Sequence, residues 1–151
     1  MEKKKFSWEE IDRFADELVS KVQASGFMPD YLVGIAVGGL IPLGLLAKKL
    51  DSNAVLTVSA SSYNDANQKT GEPTVWNLPV LDLNGKKVLL IDEIVETGET
   101  LDVVKKELVE KCNAGPIKTA VLGINKAKCT VAPDFYIFAE EAWIVFPWEE
   151  R

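Results

Sequence analysis

The chain has 151 residues, 47% of them hydrophobic, and a formal net charge of −6 with no long basic run. That length suits one ordinary domain with a real core, expected here to span 1–151, and the acidic balance leaves sequence-independent nucleic-acid binding without an electrostatic footprint. Histidine is absent, which removes Ser-His-Asp and Cys-His nucleophile arrangements and every His-ligated zinc site, so acid–base work falls to carboxylates, lysines or tyrosines.

The opening "MEKKKFSWEE" carries basic residues with no apolar run behind them and does not read as a signal peptide. No stretch is long and apolar enough to cross a bilayer, so no integral membrane association is expected. Cys112 and Cys129 lack metal-ligand spacing and read as reduced and buried. A cytoplasmic protein is the expectation.

Ser7 to about Ser25 reads as a helix. Trp8, Ile11, Phe14, Ala15, Leu18, Val19 and Val22 recur at helical spacing, and Ser7 with Glu10 forms a capping box. "YLVGIAV" is a short apolar strand, Gly38-Gly39 a turn, and "LIPLGLLAKKL" a helix. "NAVLTVSASSY" is a second strand, and the polar run from Tyr63 to about Thr74 reads as a mobile loop. "VWNLPVLDL" is extended, and Asn84-Gly85 turns the chain into the buried strand "KKVLLID". Leu101 to Cys112 is an amphipathic helix, with Leu101, Val104, Leu108 and Cys112 inward. "IKTAVLGIN" and "DFYIFAE" supply two more strands ahead of the aromatic tail "EAWIVFPWEER". Strands alternating with helices imply an α/β fold, a doubly wound, mostly parallel sheet with ligand sites at the carboxyl ends of its strands.

"VLLIDEIVETGET", residues 88–100, lies at such an end. Free N–H groups at the start of the following helix, a glycine permitting close approach and two threonine hydroxyls make an anion site. Asp92 and Glu93 suit sugar hydroxyls or a Mg²⁺ ion that bridges a phosphate. A phosphorylated sugar satisfies both halves. Pattern alone leaves open that these acids only complement the helix dipole.

The same thirteen residues resemble the phosphoribosyl-pyrophosphate signature of the type I phosphoribosyltransferases. "GGLIPLGLLAKKL", "SSYNDANQK", Lys126 after the penultimate strand and "WIVFPWE" resemble the bacterial xanthine-guanine phosphoribosyltransferases. The resemblance spans nearly the whole chain in order. It implies transfer of ribose 5-phosphate from phosphoribosyl pyrophosphate to a ring nitrogen of a 6-oxopurine, with Mg²⁺ as cofactor, in a homodimer or homotetramer. It further implies a small hood over the base, formed by the N-terminal helix and the C-terminal segment.

Carried across residue by residue, the resemblance gives Glu96, Thr97, Gly98, Glu99 and Thr100 the 5-phosphate. Asp92 and Glu93 receive the ribose hydroxyls, with Glu93 the leading Mg²⁺ contact. Glu96 stands where the family usually has the Asp that meets the purine imidazole nitrogen. Lys126 donates to the 6-oxo group, with Lys128 on the same side of the pattern; Trp143 covers the purine face and Ile144 meets its edge. Without the resemblance Trp143 reads as core. Pro147 and Trp148 read as core or oligomer contacts. Tyr63 belongs to the closing loop, and Lys69 reaches pyrophosphate.

The pyrophosphate loop departs from the family's Arg-Gly-Gly, since Val37 precedes Gly38 and Gly39. A donor lost from a developing anion typically costs about 3 to 4 kcal/mol of transition-state stabilisation. This keeps a second reading open, a non-catalytic regulator of the same fold that binds a nucleotide or phosphoribosyl pyrophosphate. An unrelated phospho-accepting signalling domain would need acids at the end of the first strand, where "GIAVGG" has none.

Overall fold

Alternation along the central strands builds the core on two faces at once. In β5 (Val88–Val95), Leu89 and Ile91 face one apolar cluster while Val88 and Leu90 face the other. In β6 (Ile117–Asn125), Ala120 and Leu122 face the first and Val121 the second. Strands buried on both faces are what a parallel sheet between helical layers requires.

The computed structural model describes residues 2–150 apart from 64–68, and the side chains of residues 63–70 lie outside the described part. β1 (Lys3–Lys5), α1 (Trp8–Ala24), β2 (Tyr31–Ala36), α2 (Leu40–Lys49), β3 (Val55–Tyr63) and β4 (Lys69–Trp76) precede β5; α3 (Glu99–Cys112) joins β5 to β6; β7 (Phe138–Glu140), β8 (Trp143–Val145) and a 3₁₀ turn (Pro147–Glu149) follow. Six strands form one sheet in the order β4-β3-β2-β5-β6-β7. All its pairs are parallel except β3 with β4.

The expected helix at the start is present. Ser7 Oγ accepts from Glu10 N at 3.2 Å, and the Glu10 carboxylate accepts from Ser7 N at 3.2 Å. α1 and α2 pack on the first face of the sheet, and α3 covers the second. The chain runs outward from β2 to β3 on one side and from β5 to β6 on the other. The topological switch point therefore falls between the carboxyl ends of β2 and β5, where open α/β sheets bind ligands.

The structure corrects several expectations. The stretch read as a mobile loop from Tyr63 to about Thr74 contains most of β4, which pairs antiparallel with β3 from Ser59 against Trp76 to Tyr63 against Lys69. Gly71 and Pro73 disguise it in the sequence, yet an edge strand tolerates both. "VWNLPVLDL" is extended only at its start, because β4 ends at Trp76 and the chain then bends irregularly. "DFYIFAE" pairs regularly only over Phe138–Glu140, with Phe135 forming an isolated bridge to Ala120. Cys112 is buried, but Cys129 is only partly so. α1 belongs to the core layer on the sheet; it is β1 that pairs with the tail, Lys3 to Lys5 against Trp143 to Val145. No helix among the described residues is long and apolar enough to cross a membrane.

Candidate active site

β5 ends in acids and turns at once into α3. Gly98, the N-cap of α3, has φ +105° and φ/ψ in the left-handed region, and no side chain caps the helix. A Cβ at Gly98 would stand 2.6 Å from the Val131 carbonyl oxygen, so only glycine fits both the dihedral and the space. The Thr97 carbonyl accepts from Thr130 N at 3.1 Å, from Val131 N at 3.3 Å and from Thr130 Oγ1 at 3.2 Å. Within the turn, Thr97 Oγ1 accepts from Glu99 N at 3.2 Å. The carbonyl side of the turn is thus tied back to the protein, while the amides of Gly98, Thr100 and Leu101 have no acceptor among the described residues. That leaves donors and the positive end of the helix dipole facing a cavity of about 300 Å³.

Opposite this turn, the loop after β2 completes the cavity. Val37 is 80% exposed, and the Ala36–Val37 peptide is cis. A Cβ at Gly38 would lie 2.4 Å from the Glu93 carboxyl carbon, and one at Gly39 would lie 2.5 Å from the Ile35 carbonyl oxygen. Both glycines are therefore demanded by close approach, Gly38 to Glu93 and Gly39 to the sheet backbone.

Between the two loops stand the acids. Burial pushes the Asp92 carboxyl up to about 7, opposed by the bond it accepts from Glu93 N at 2.8 Å and reinforced by the charge of Glu93. Burial also raises Glu93; the Trp148 indole Nε1–H donates to its Oε2 at 2.9 Å and pulls the other way, while the negative charge of Glu149 adds to the rise. Glu93 and Glu96 line both this cavity and a second one of about 410 Å³. The second is walled by Trp143, Ile144 and Phe146 from the tail and by Lys128 and Asn125 from the end of β6. Trp143 is 53% exposed, so its ring is available as a surface. The Lys128 ammonium lies 4.0 Å from Glu96 Oε2.

A concave anion turn joined through two carboxylates to an aromatic-walled slot has known parallels. The phosphoribosyl transferase domain family matches residues 7–151. The chain belongs to this family. The xanthine-guanine phosphoribosyltransferase of Desulfotalea psychrophila is 30% identical over 143 residues, covering 95% of this chain and 84% of that protein. The crystal structure of a purine phosphoribosyltransferase from Pyrococcus horikoshii superposes with a TM-score of 0.82 at 35% identity, covering 100% of this chain and 97% of that one. The Helicobacter pylori xanthine-guanine-hypoxanthine phosphoribosyltransferase gives 0.81 at 25% identity, over 97% and 93% of the two chains. The fold is that of the type I phosphoribosyltransferases, and the protein is an enzyme of the transferase class. Relatives named as transferases do not favour the reading as a non-catalytic regulator.

Within this phosphoribosyltransferase, Val37, Gly38, Asp92, Glu93, Glu96, Thr97, Gly98, Glu99 and Thr100 all line the first cavity. Gly39 sits just behind the wall as the residue preceding α2. Trp143 and Ile144 reach the second cavity, Ile144 mostly buried. Lys126 is exposed and does not line it; its backbone N–H donates to the Glu140 carbonyl at 2.9 Å, and the lysine that does line the slot is Lys128. Tyr63 and Lys69 pair through their backbones at the sheet edge, and their side chains lie outside the described residues.

Sequence reasoning missed Trp148 as a partner of Glu93 and Thr130 as a brace for the turn. The only signal for either was proximity in the chain to a motif, "WIVFPWE" for one and "NKAKCT" for the other. Asp92 and Glu93 also fit a magnesium ion that arrives with a substrate's phosphates. Magnesium uses one or two carboxylates alongside phosphate oxygens, and a cation here would offset the cost that burial imposes on both acids.

Proposed function

We propose that this phosphoribosyltransferase moves ribose 5-phosphate from phosphoribosyl pyrophosphate to a ring nitrogen of a 6-oxopurine (xanthine, guanine or hypoxanthine) and releases pyrophosphate. The observation that carries the reading is that the anion cavity and the aromatic-walled cavity meet at Glu93 and Glu96. A bond from the first carbon of a sugar to a flat base can form only where a phosphosugar site and a base site share a wall.

In this reading the turn from Glu96 to Thr100 holds the 5-phosphate through backbone N–H groups, and Asp92 and Glu93 take the ribose hydroxyls. Both acids would hold Mg²⁺, which would offset charge on the leaving pyrophosphate. Glu96 accepts from the imidazole nitrogen as charge develops in the ring. Trp143 lies over the purine face, where the polarizable indole suits a heterocycle, and Ile144 meets its edge through the backbone. Lysine ammonium donates to the 6-oxo oxygen and cannot accept from an amino group, which selects oxopurines over aminopurines. The resemblance assigns this donor to Lys126, while the cavity is lined by Lys128. Tyr63 closes over the reaction centre, and Lys69 supplies charge near pyrophosphate that Val37 does not. A cytoplasmic purine-salvage role, in a single domain assembled as a homodimer or homotetramer, completes the reading.

Incubation with phosphoribosyl pyrophosphate, Mg²⁺ and each oxopurine, followed by chromatography of the nucleotide formed, tests it. Turnover of at least one oxopurine and none of adenine is expected; no turnover of any oxopurine overturns it. In the same assay the donor lysine, changed to Ala, lowers kcat/KM for the oxopurine by roughly tenfold or more, as for a hydrogen bond from a charged group. Comparing Lys126→Ala with Lys128→Ala decides which lysine it is.

A further inference from the structure

Glu93 is clamped from two sides. On one, Gly38 approaches so closely that a Cβ would meet the carboxyl at 2.4 Å. On the other, the Trp148 indole donates to Oε2 at 2.9 Å across 55 residues of chain. Trp148 is itself held. Its ring stacks on Phe146 with centroids 4.6 Å apart and planes 4° from parallel, and it meets Trp8 at 5.7 Å. Phe146 is buried in the core cluster beneath the sheet, and its N–H donates to the Glu149 carboxylate at 3.2 Å. The indole is therefore a fixed donor, and it meets an acid that lines both cavities.

We propose that Trp148 is a positioning residue. It fixes one oxygen of Glu93 so that the other is presented to the sugar hydroxyls of the phosphoribosyl donor. This rests on the reading of the first cavity as the phosphoribose site. A free glutamate side chain loses rotamer freedom when it binds a hydroxyl, and a clamp from Gly38 and Trp148 makes that loss part of folding. The tail that carries Trp148 also carries Trp143 and Ile144, so one anchored segment shapes the base slot and aims the sugar-binding acid.

The test uses the full chain with Mg²⁺ held constant. Trp148→Phe keeps a ring against Phe146 and Trp8 but deletes the N–H. Titration calorimetry with phosphoribosyl pyrophosphate is expected to give affinity weakened by roughly tenfold or more, as for a hydrogen bond to a charged group. KM for the oxopurine stays within about twofold, because the walls of the base slot are retained. In a Glu93→Ala background the Trp148→Phe change adds nothing further, since its route of action is gone. Unchanged affinity in Trp148→Phe, or a full additional loss in the Glu93→Ala background, overturns the proposal.

Should Trp148→Phe fold poorly, the indole resonances of the otherwise unaltered chain decide. The Trp148 Nε1–H signal moves on Glu93→Ala if the bond exists in solution and stays in place if the proposal is wrong. Because calorimetry needs no turnover, a native chain that binds phosphoribosyl pyrophosphate without making nucleotide sinks the catalytic reading alone. A native chain that fails to bind it sinks both.

Discussion

Asp92 couples the site to pH. Burial carries its carboxyl from an ordinary value of 3.8 to about 7, so between those values the folded chain keeps a proton that the unfolded chain has released. Protons bound in excess by the folded state make unfolding free energy fall as pH rises. The contribution is whole below about pH 4 and is lost by the time pH has climbed through about 7. Integrated over that shift, it amounts to at most about 4 kcal/mol in the ligand-free chain. Asn at this position accepts the same bond from Glu93 N and carries no charge. Urea unfolding of Asp92→Asn against the parent should show equal stability at pH 4 and an Asn advantage of up to that size at pH 8. Glu93, raised in the same direction, leaves a residual slope in both chains. Equal stability across the range would mean that water reaches the acid and that burial does not set its charge.

At the scale of single elements, the turn from β5 into α3 separates what sequence reveals from what it hides. The motif is legible because its chemistry is local: acids at a strand end, a glycine where φ is positive, a threonine hydroxyl one residue before it and another two residues after. α1 is legible for the same reason, since Ser7 and Glu10 meet within one turn. The brace behind the turn is not, because Thr130 and Val131 reach Thr97 over 33 residues or more and no local pattern announces them. β1 is the extreme case. Three exposed lysines have no apolar alternation, and they form a strand only because β8 offers an edge from the far end of the chain. β4 was hidden by Gly71 and Pro73, which weaken a strand without forbidding an edge one. Gly98→Ala tests the turn itself. It forces a side chain into a left-handed conformation and against the Val131 carbonyl, a combination worth about 1 to 3 kcal/mol of stability. Denaturant unfolding should record that loss, and affinity for phosphoribosyl pyrophosphate should fall with it. An Ala variant with parental stability and affinity would mean that the brace yields and does not fix the amides.

Across the whole molecule, β1 pairs with β8, whose Trp143 and Ile144 wall the cavity proposed for the base. β8 pairs with β1 and with no other described strand, and the Phe6 N–H continues the ladder to the Val145 carbonyl at 3.2 Å. The cavity proposed for phosphoribose, by contrast, is lined by β2, β3 and β5 of the six-stranded sheet and by the start of α3. Trp148 is anchored through Phe146 and Trp8, neither of which belongs to β1. Deleting residues 2–5 should therefore separate the two halves of the site. Residues 143–145 would then lose most of their ladder and keep only the Phe6 bond to Val145 and the burial of Ile144 until the base arrives. At about 1 to 2 kcal/mol of backbone entropy for each residue, even partial disorder reduces the fraction of competent molecules and raises the apparent KM for the oxopurine by about tenfold or more. Affinity for phosphoribosyl pyrophosphate, measured by calorimetry on the same deletion, should stay within a few-fold of the parent, because neither the turn amides nor the Glu93 clamp touches β1. If both constants worsened together, the hood would be supporting the acid as well as the base, and the sheet alone would not suffice to form the phosphoribose site.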